Sequence, residues 1–310
     1  MPDPTETAII GTFSIAFVLF FVVALARGLL RRSPASRAAA DDGLPVPADE
    51  SAPYRSPSGP PSLPPELPAG RVPVWFYGPL DLVGLGFIFF VFLGLVVPSL
   101  RMTAASEMQL TPAALLASIV FQFVMAGVAL AFVIRRVGPV EWLGLRWPGW
   151  RWGFLIAPAT VVGMWLFFGI LQVGGYMEWL ESIGVEPVQD TVRLLQKATD
   201  PVVLGLMAFA AVIAAPLCEE IVFRGYLYPA AKKFAGPWVA MVCSALIFAA
   251  AHGSLAALLP LFVFGCVLVV LYEKTGSLWA PIAVHLLFNG ATVLVQLAAR
   301  HWNIPLEASL

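Results

Sequence analysis

Six of the polar side chains in the apolar second half of this sequence are of the types used in hydrolysis. A carboxylate and an imidazole can together hold and deprotonate a water molecule. A second imidazole and an amide can donate hydrogen bonds to a tetrahedral oxyanion. These side chains are Glu219, Glu220, Arg224, His252, His285 and Asn289.

The spacing of the first three residues divides the two acids between different tasks. Glu220 and Arg224 lie four residues apart, so on a helix they share a face and can form an ion pair. Glu219 is rotated from Glu220 by about 100° around the helix axis, which leaves it without that partner. The spacing therefore predicts that Arg224 neutralises Glu220 and that Glu219 is free to act.

The same spacing recurs in two later segments, but it does not choose one function. Phe248 and His252 are four residues apart, as are His285 and Asn289, so three helices each present one polar face. These faces could form a structural hydrogen-bonded network between helices. They could also form a proton or ion pathway of a transporter, or a hydrolytic site. Periodicity alone leaves all three possibilities open.

The elements that must position these residues are transmembrane helices. The chain has 310 residues, of which 59% are hydrophobic and only 12% are charged, and the apolar residues lie in long blocks. This composition is typical of a polytopic all-α membrane protein. A span needs about 20 apolar residues, and eight candidates satisfy this, with an error of one: 8–30, 79–100, 112–134, 153–175, 201–222, 237–252, 257–273 and 279–299.

The basic residues predict the orientation of these spans. Lys and Arg follow every odd span, and they mark the cytosolic side of a membrane protein. Both termini are therefore expected on the side of the membrane away from the cytosol. The protein itself is expected in the cytoplasmic (inner) membrane or an equivalent one. The lipid bilayer is an expected partner. Nucleic acid is not expected as a partner, because no basic run exceeds two residues.

Composition also divides the chain into four regions. Residues 1–32 are predicted to form a transmembrane anchor. Residues 33–72, rich in Pro, Ser and Ala, are predicted to be a disordered cytosolic linker. Residues 73–200 are predicted to contain membrane helices with interfacial segments, and residues 201–300 the catalytic membrane core.

Three strings in the last third of the chain resemble the motifs of a known family. EEIVFRG (219–225), FAAAH (248–252) and HLLFN (285–289) occur in that order on successive late spans. They resemble the CAAX protease and bacteriocin-processing family, which includes the type II CAAX prenyl endopeptidase. The stretch YEKTGSLWAPIAVH (272–285) is also similar to that family. The resemblance covers about 201–296.

The resemblance implies a membrane endopeptidase that acts on membrane-associated peptides or proteins. All six polar residues match its motifs. The first acid of the pair is implied to activate water together with the histidine of FAAAH. The second acid and the arginine support that acid, and the histidine and asparagine of HLLFN stabilise the oxyanion. A non-catalytic immunity or scaffold protein and a proton-coupled transporter are the alternatives.

The family is classed among metalloproteases, but the sequence does not contain a local zinc motif. HExxH is absent, and the three cysteines lie inside predicted spans without CxxC spacing. Zinc catalysis typically needs three protein ligands, which only His252, His285 and Glu219 could supply, by convergence of separate helices. Zinc is therefore possible, no cofactor is certain, and chemistry without a metal is slightly favoured.

The predicted spans pose a problem of depth. Glu219 lies late in its span, whereas His252 lies at the far end of the next span, which runs in the opposite direction. The two side chains can meet only if the first helix continues past Arg224 toward Pro229, or if the second helix is short or tilted. Pro216 is a candidate for a local distortion of the first helix.

Overall fold

The computed structural model describes residues 3–31, 72–75, 77–103, 111–134, 136–186 and 190–302. Within these ranges the chain is helical and no residue lies in a strand. Seven of the described helices are long and apolar enough to cross a membrane, and an eighth apolar helix is shorter. The prediction of an all-α bundle with about eight spans is confirmed. The predicted linker 33–72 lies outside the described residues, apart from Val72.

The helices follow each other in a simple order along the chain. A 3₁₀ turn at Trp150–Trp152 precedes the fifth helix. The helices are α1 (Pro4–Arg31), α2 (Pro79–Thr103), α3 (Pro112–Val133), α4 (Pro139–Trp142), α5 (Gly153–Val173), α6 (Tyr176–Ser182), α7 (Asp190–Lys197), α8 (Pro201–Ala235), α9 (Pro237–Ala250), α10 (Leu255–Thr275) and α11 (Trp279–His301).

Helix α8 is longer than the sequence predicts and has an uneven pitch. Its 35 residues extend about 50 Å at 1.5 Å per residue, more than the hydrocarbon core of a bilayer. The predicted end at residue 222 was set by the cluster of charges, but the helix continues through them. Two stretches, Ala210–Ala214 and Glu220–Leu227, are π-helical, a conformation that is frequent at functional sites.

Helix α9 is short and brings the chain back into the bundle. Gly236 makes the turn between α8 and α9 with a φ of 87°, a conformation that glycine adopts without steric cost. The 14 residues of α9 span about 21 Å, so the helix ends within the depth of the membrane. Both of the predicted solutions to the depth problem are therefore present: α8 continues past Arg224, and α9 is short.

Helix α9 is also at the centre of the packing. It packs between α1 and α10, while α11 packs against α5, α10 and the middle of α8. The N-terminal helix buries Ile9, Phe13 and Ala16 in this bundle. Helix α8 packs against both α9 and α11, so it joins the other two helices that carry the motifs.

An ionic cluster around Asp81 holds the C-terminal half of α8 in place. Asp81, at the start of α2, has no exposed surface. Its two carboxylate oxygens accept hydrogen bonds of 2.8 Å from Arg136, and Oδ1 accepts a third, of 3.2 Å, from the Tyr226 hydroxyl on α8. The hydrogen bonds to Asp81 raise the pKa of the Arg136 guanidinium above its usual value. The sequence analysis did not single out Asp81.

Another cluster joins the C-terminal ends of α8 and α10. Lys232 donates a hydrogen bond of 2.5 Å to Glu273, which also accepts one of 2.6 Å from the Tyr228 hydroxyl. Lys232 further donates to the carbonyl of Val72, at 3.0 Å. The end of the predicted linker is therefore attached next to the last turns of α8.

Candidate active site

Glu220 is the most fully engaged acid of the site. Its side chain has no exposed surface, and its Oε1 accepts a hydrogen bond of 2.8 Å from Nη1 of Arg224. The same oxygen lies 2.9 Å from Nδ1 of His285 on α11. The structure thus contains the ion pair that the spacing of four residues predicts, and it adds a histidine from another helix.

Arg224 makes further contacts besides its ion pair with Glu220. Its Nη2 donates to the carbonyl oxygen of Gly265 on α10 at 3.2 Å, and its guanidinium carbon lies 4.4 Å from the centre of the Phe248 ring. A guanidinium above an aromatic ring is attracted by the ring's negative face. Helix α10 packs so closely on α9 here that residue 265 has to be small, because a Cβ at Gly265 would lie 3.0 Å from that of Ala245. The sequence analysis did not identify this contact.

Glu219 has a different environment from its neighbour. Its side chain keeps 23% of its surface exposed, and Oε2 lies 3.9 Å from Nε2 of His285. This oxygen is buried and has no hydrogen-bond partner among the described residues. Glu219 is therefore only lightly engaged, and the exposed part of its side chain is where a water molecule or a substrate group can approach.

His285 lies between the two acids. Nδ1 faces Glu220 and Nε2 faces Glu219, and the ring meets Phe248 and Phe264 edge to face at centroid distances of 5.9 and 5.3 Å. Only 3% of the residue is exposed. A carboxylate on one nitrogen fixes the orientation of an imidazole and leaves the other nitrogen for chemistry.

His252 lies at the edge of this cluster. It is exposed, and its Nδ1 is 2.8 Å from the carbonyl oxygen of Phe248, one turn earlier. The Phe248 ring contacts both histidines, with centroids 4.9 Å from His252 and 5.9 Å from His285. Among the described residues no ion pair of 4.0 Å or less joins His252 to Glu219. The predicted partnership of these two residues stays a prediction.

Asn289 is attached to the backbone of α8. It lies one turn after His285, and its Nδ2 donates a hydrogen bond of 2.8 Å to the carbonyl oxygen of Ala211. An amide group has two donor hydrogens and a carbonyl acceptor, so this bond leaves one N–H for another partner. The anchored side chain lies half-buried.

Pro216 explains why the carbonyl of Ala211 needs a partner. In the π-helical stretch the N–H of Ala215 donates to the carbonyl of Ala210, five residues earlier. The next bond in that register would join residue 216 to Ala211, but proline has no N–H. Pro216 therefore leaves a carbonyl oxygen that Asn289 satisfies. The sequence analysis considered a distortion at Pro216 but did not connect it with Asn289.

The donors proposed for zinc do not form a ligand set in this arrangement. Among the described residues, no three side chains of His, Cys, Asp or Glu converge on a point where a metal ion could bind. His285 lies 3.9 Å from Glu219, whereas no ion pair of 4.0 Å or less joins His252 to Glu219 within the described part of the chain. The three candidate ligands thus do not fit a zinc ion as placed, and no chemical step is assigned to one here.

Comparison with known proteins agrees with the position of this cluster. Residues 201–291 match the model of a family described as type II CAAX prenyl endopeptidase Rce1-like. This segment is thus similar to the CAAX protease family. The family resemblance predicted for 201–296 is therefore confirmed, and all six polar residues lie within the matched range.

Two curated proteins are each similar to about 30% of the chain. A putative membrane peptidase, YdiL of Bacillus subtilis, is 34% identical over 92 residues, which are 30% of this chain and 38% of the relative. The membrane-embedded CAAX protease MroQ of Staphylococcus aureus is 35% identical over 100 residues, 30% of this chain and 40% of the relative. The chain thus spans less than half the length of either relative. No solved structure matches.

Proposed function

We propose that this chain is a membrane-embedded endopeptidase that hydrolyses peptide bonds of membrane-associated substrates with a water molecule activated by Glu219. One observation carries the proposal: two adjacent acids have opposite environments. Glu220 is fully buried, and its Oε1 is bonded to Arg224 and His285, whereas Glu219 forms no such bonds, faces His285 and keeps 23% of its side-chain surface exposed. The family of residues 201–291 supports the same reaction class.

In the first step, Glu219 acts as the general base. A water molecule donates one hydrogen bond to the partly exposed carboxylate of Glu219 and another to Nε2 of His252, whose Nδ1 is already used by the carbonyl of Phe248. As the water oxygen attacks the carbonyl carbon of the substrate, its proton passes to Glu219. Such a positioned base typically accelerates a reaction about 10²- to 10⁴-fold.

In the second step, His285 and Asn289 stabilise the oxyanion. Because Glu220 accepts from Nδ1 of His285, the ring offers a hydrogen on Nε2 only when it is doubly protonated. Glu220 then provides the counter-charge for that cation, as the acid does in serine protease triads. The remaining N–H of Asn289 is the second donor.

In the last step, the tetrahedral intermediate collapses. The carbon–nitrogen bond breaks, the proton held by Glu219 passes to the leaving amine, and Glu219 returns to its carboxylate form. The products are a new carboxyl terminus and a new amino terminus. The acid thus acts in turn as base and acid, and no other reactant is required.

The proposed substrates are peptides that reach the site from the membrane. Glu219 lies within a span of α8, so a substrate has to approach it through the bilayer or from its surface. The family description includes prenyl endopeptidases, which makes carboxyl-terminal CAAX peptides the first class to test.

The experiment compares membrane peptides from cells that produce the wild-type chain or the Glu219→Gln variant at equal levels. Mass spectrometry should find uncleaved membrane peptides that accumulate only with the variant, and their cleaved forms only with the wild-type. Identical peptide populations would contradict an endopeptidase function. Substrate flux in liposomes without any cleavage would favour a transporter instead.

A further inference from the structure

An apolar groove lies farther along α8 than the proposed catalytic residues of that helix. It lies between α1 and α2, above the last turns of α8 and the middle of α9. The α8 residues that line the groove, Leu227 and Ala231, lie at least eight positions beyond Glu219, about 12 Å along the helix axis. The lining is apolar and includes Phe17, Phe20, Leu85, Phe89, Leu227 and Ile247.

The groove contains unfilled space at a glycine. Gly86 of α2 lines it, and a Cβ added to this residue would meet no atom within 4 Å. Protein interiors are normally packed without such gaps. Because the surrounding helices are transmembrane, hydrocarbon is the medium that reaches this space.

A basic site lies at one end of the groove. Arg27 lies seven residues after Phe20 on α1, on the same face and about 10 Å along the axis. Its guanidinium packs against Gly236 in the turn between α8 and α9, and its buried Nε has no hydrogen-bond partner among the described residues. Lys233, half-buried, is in the preceding turn and, like Arg27, forms no ion pair within the described part of the chain.

This end of the groove is at the level of lipid headgroups. Trp238, two residues after Gly236, is 76% exposed, and exposed tryptophans at the ends of membrane helices mark the interface. Basic pockets between transmembrane helices on the cytosolic side bind the headgroups of anionic lipids. The groove and its basic end therefore match the two parts of a phospholipid.

We propose that this groove binds one acyl chain of an anionic phospholipid from the cytosolic leaflet, with its phosphate at Arg27 and Lys233. The chain fills the space above Gly86, and the phosphate accepts hydrogen bonds from the guanidinium. The site uses none of the side chains assigned to hydrolysis, so it stands independently of the proposed function.

The test uses the full chain in nanodiscs that contain a trace of phospholipid with a diazirine in its acyl chain. The probe is phosphatidylglycerol in one sample and phosphatidylcholine with the same chains in the other. After illumination, mass spectrometry measures cross-links on the α1 segment around Phe17–Phe21, relative to those on the lipid-exposed α5. Wild-type protein should show the α1 cross-link preferentially with phosphatidylglycerol.

Two pairs of variants separate the groove from the general lipid surface. Gly86→Leu should lower the relative α1 cross-link about tenfold, the loss expected when two methylene groups of the chain are no longer buried. Gly94→Leu is the matched control, because it lies on the same helix, is exposed and also has open space. It should leave the cross-link unchanged.

The second pair tests the headgroup and does not depend on the folding of Gly86→Leu. Arg27→Gln should lower the phosphatidylglycerol cross-link about fivefold, the contribution of one basic residue near the membrane surface, and lower that of phosphatidylcholine by less, because its choline offsets the charge of the phosphate. Lys274→Gln, an exposed charge at the same side of the membrane, should change neither. Equal cross-linking by both lipids in wild-type protein, or equal effects within either pair, would overturn the proposal.

Discussion

At the scale of single residues, the account depends on two neighbouring acids that the helix separates. Their chain positions differ by one, but the rotation of the helix directs Glu220 toward Arg224 and His285 and leaves Glu219 partly exposed. The two carboxylates therefore contribute differently to the free energy of folding. Glu220 compensates a buried cation, whereas Glu219 contributes no ion pair with a permanent charge.

The two acids should therefore respond differently to the same substitution. Glu220→Gln leaves Arg224, 1% exposed, without its charge partner, and breaking a buried pair in this way typically costs about 3–5 kcal/mol. Glu219→Gln should change the free energy of unfolding by less than about 0.5 kcal/mol, as substitutions outside such networks usually do. Thermal unfolding in detergent measures both. Equal destabilisation by the two variants would show that the division of tasks is wrong.

Metal dependence is also decided at the residue scale. Since the described donors do not form a ligand set, we expect peptide cleavage to persist after treatment with 1,10-phenanthroline and dialysis against EDTA. The assay is turnover of a membrane peptide by the purified protein, with a zinc protease treated in parallel as a control. Loss of turnover that zinc ions restore would show that the histidines rearrange around a metal.

At the scale of elements, α8 connects the helix geometry with the site. The π-helical turn and Pro216 leave the carbonyl of Ala211 without a helical donor, and Asn289 of α11 supplies one. An unsatisfied polar group costs about 1–3 kcal/mol. The proline thus links the position of α11, and with it that of His285, to the catalytic helix.

A double-mutant cycle tests this link. Asn289→Ala should destabilise the protein by about 1–3 kcal/mol, and by less in a Pro216→Ala background, where residue 216 regains an N–H. The coupling free energy should be about 0.5 kcal/mol or more. Pro98→Ala in α2 is the control, since it should be additive with Asn289→Ala. Additivity in both backgrounds would disprove the role of Pro216.

The elements also show what the sequence could predict. Apolar blocks of sufficient length predicted the all-α class and the number of spans, because the bilayer itself requires that length. The spacing of four predicted the pair of Glu220 and Arg224, because this is a local property of a helix. The end of α8, the bond from Asn289 to Ala211 and the cluster around Asp81 were not predicted, because they depend on which helices pack together.

At the scale of the whole molecule, the orientation in the membrane remains a prediction. Lys232, Glu273 and Val72 meet at one end of the bundle, the side that the basic residues predict to be cytosolic. Tyr176 of α6 donates to the carbonyl of Leu255 at the opposite end of α10. The loop around α6 is therefore expected outside the cytosol.

Cysteine accessibility tests this orientation. In a background with the three native cysteines replaced by alanine, Glu178→Cys should react with an impermeant maleimide in intact cells. Lys274→Cys should react only after the membrane is opened. Both positions are exposed, so burial does not explain a difference between them. The reverse pattern would invert the topology and move the lipid groove to the other leaflet.

The most direct test of the central claim is hydrolysis by purified protein in water enriched in ¹⁸O. A membrane peptide identified as a substrate is incubated with the wild-type chain and with Glu219→Gln at equal folded concentration. The account predicts that the wild-type product carries one ¹⁸O at its new carboxyl terminus, and that the variant forms this product at least about 100-fold more slowly. Labelled product formed at the same rate by both proteins would contradict the assignment of Glu219 as the base.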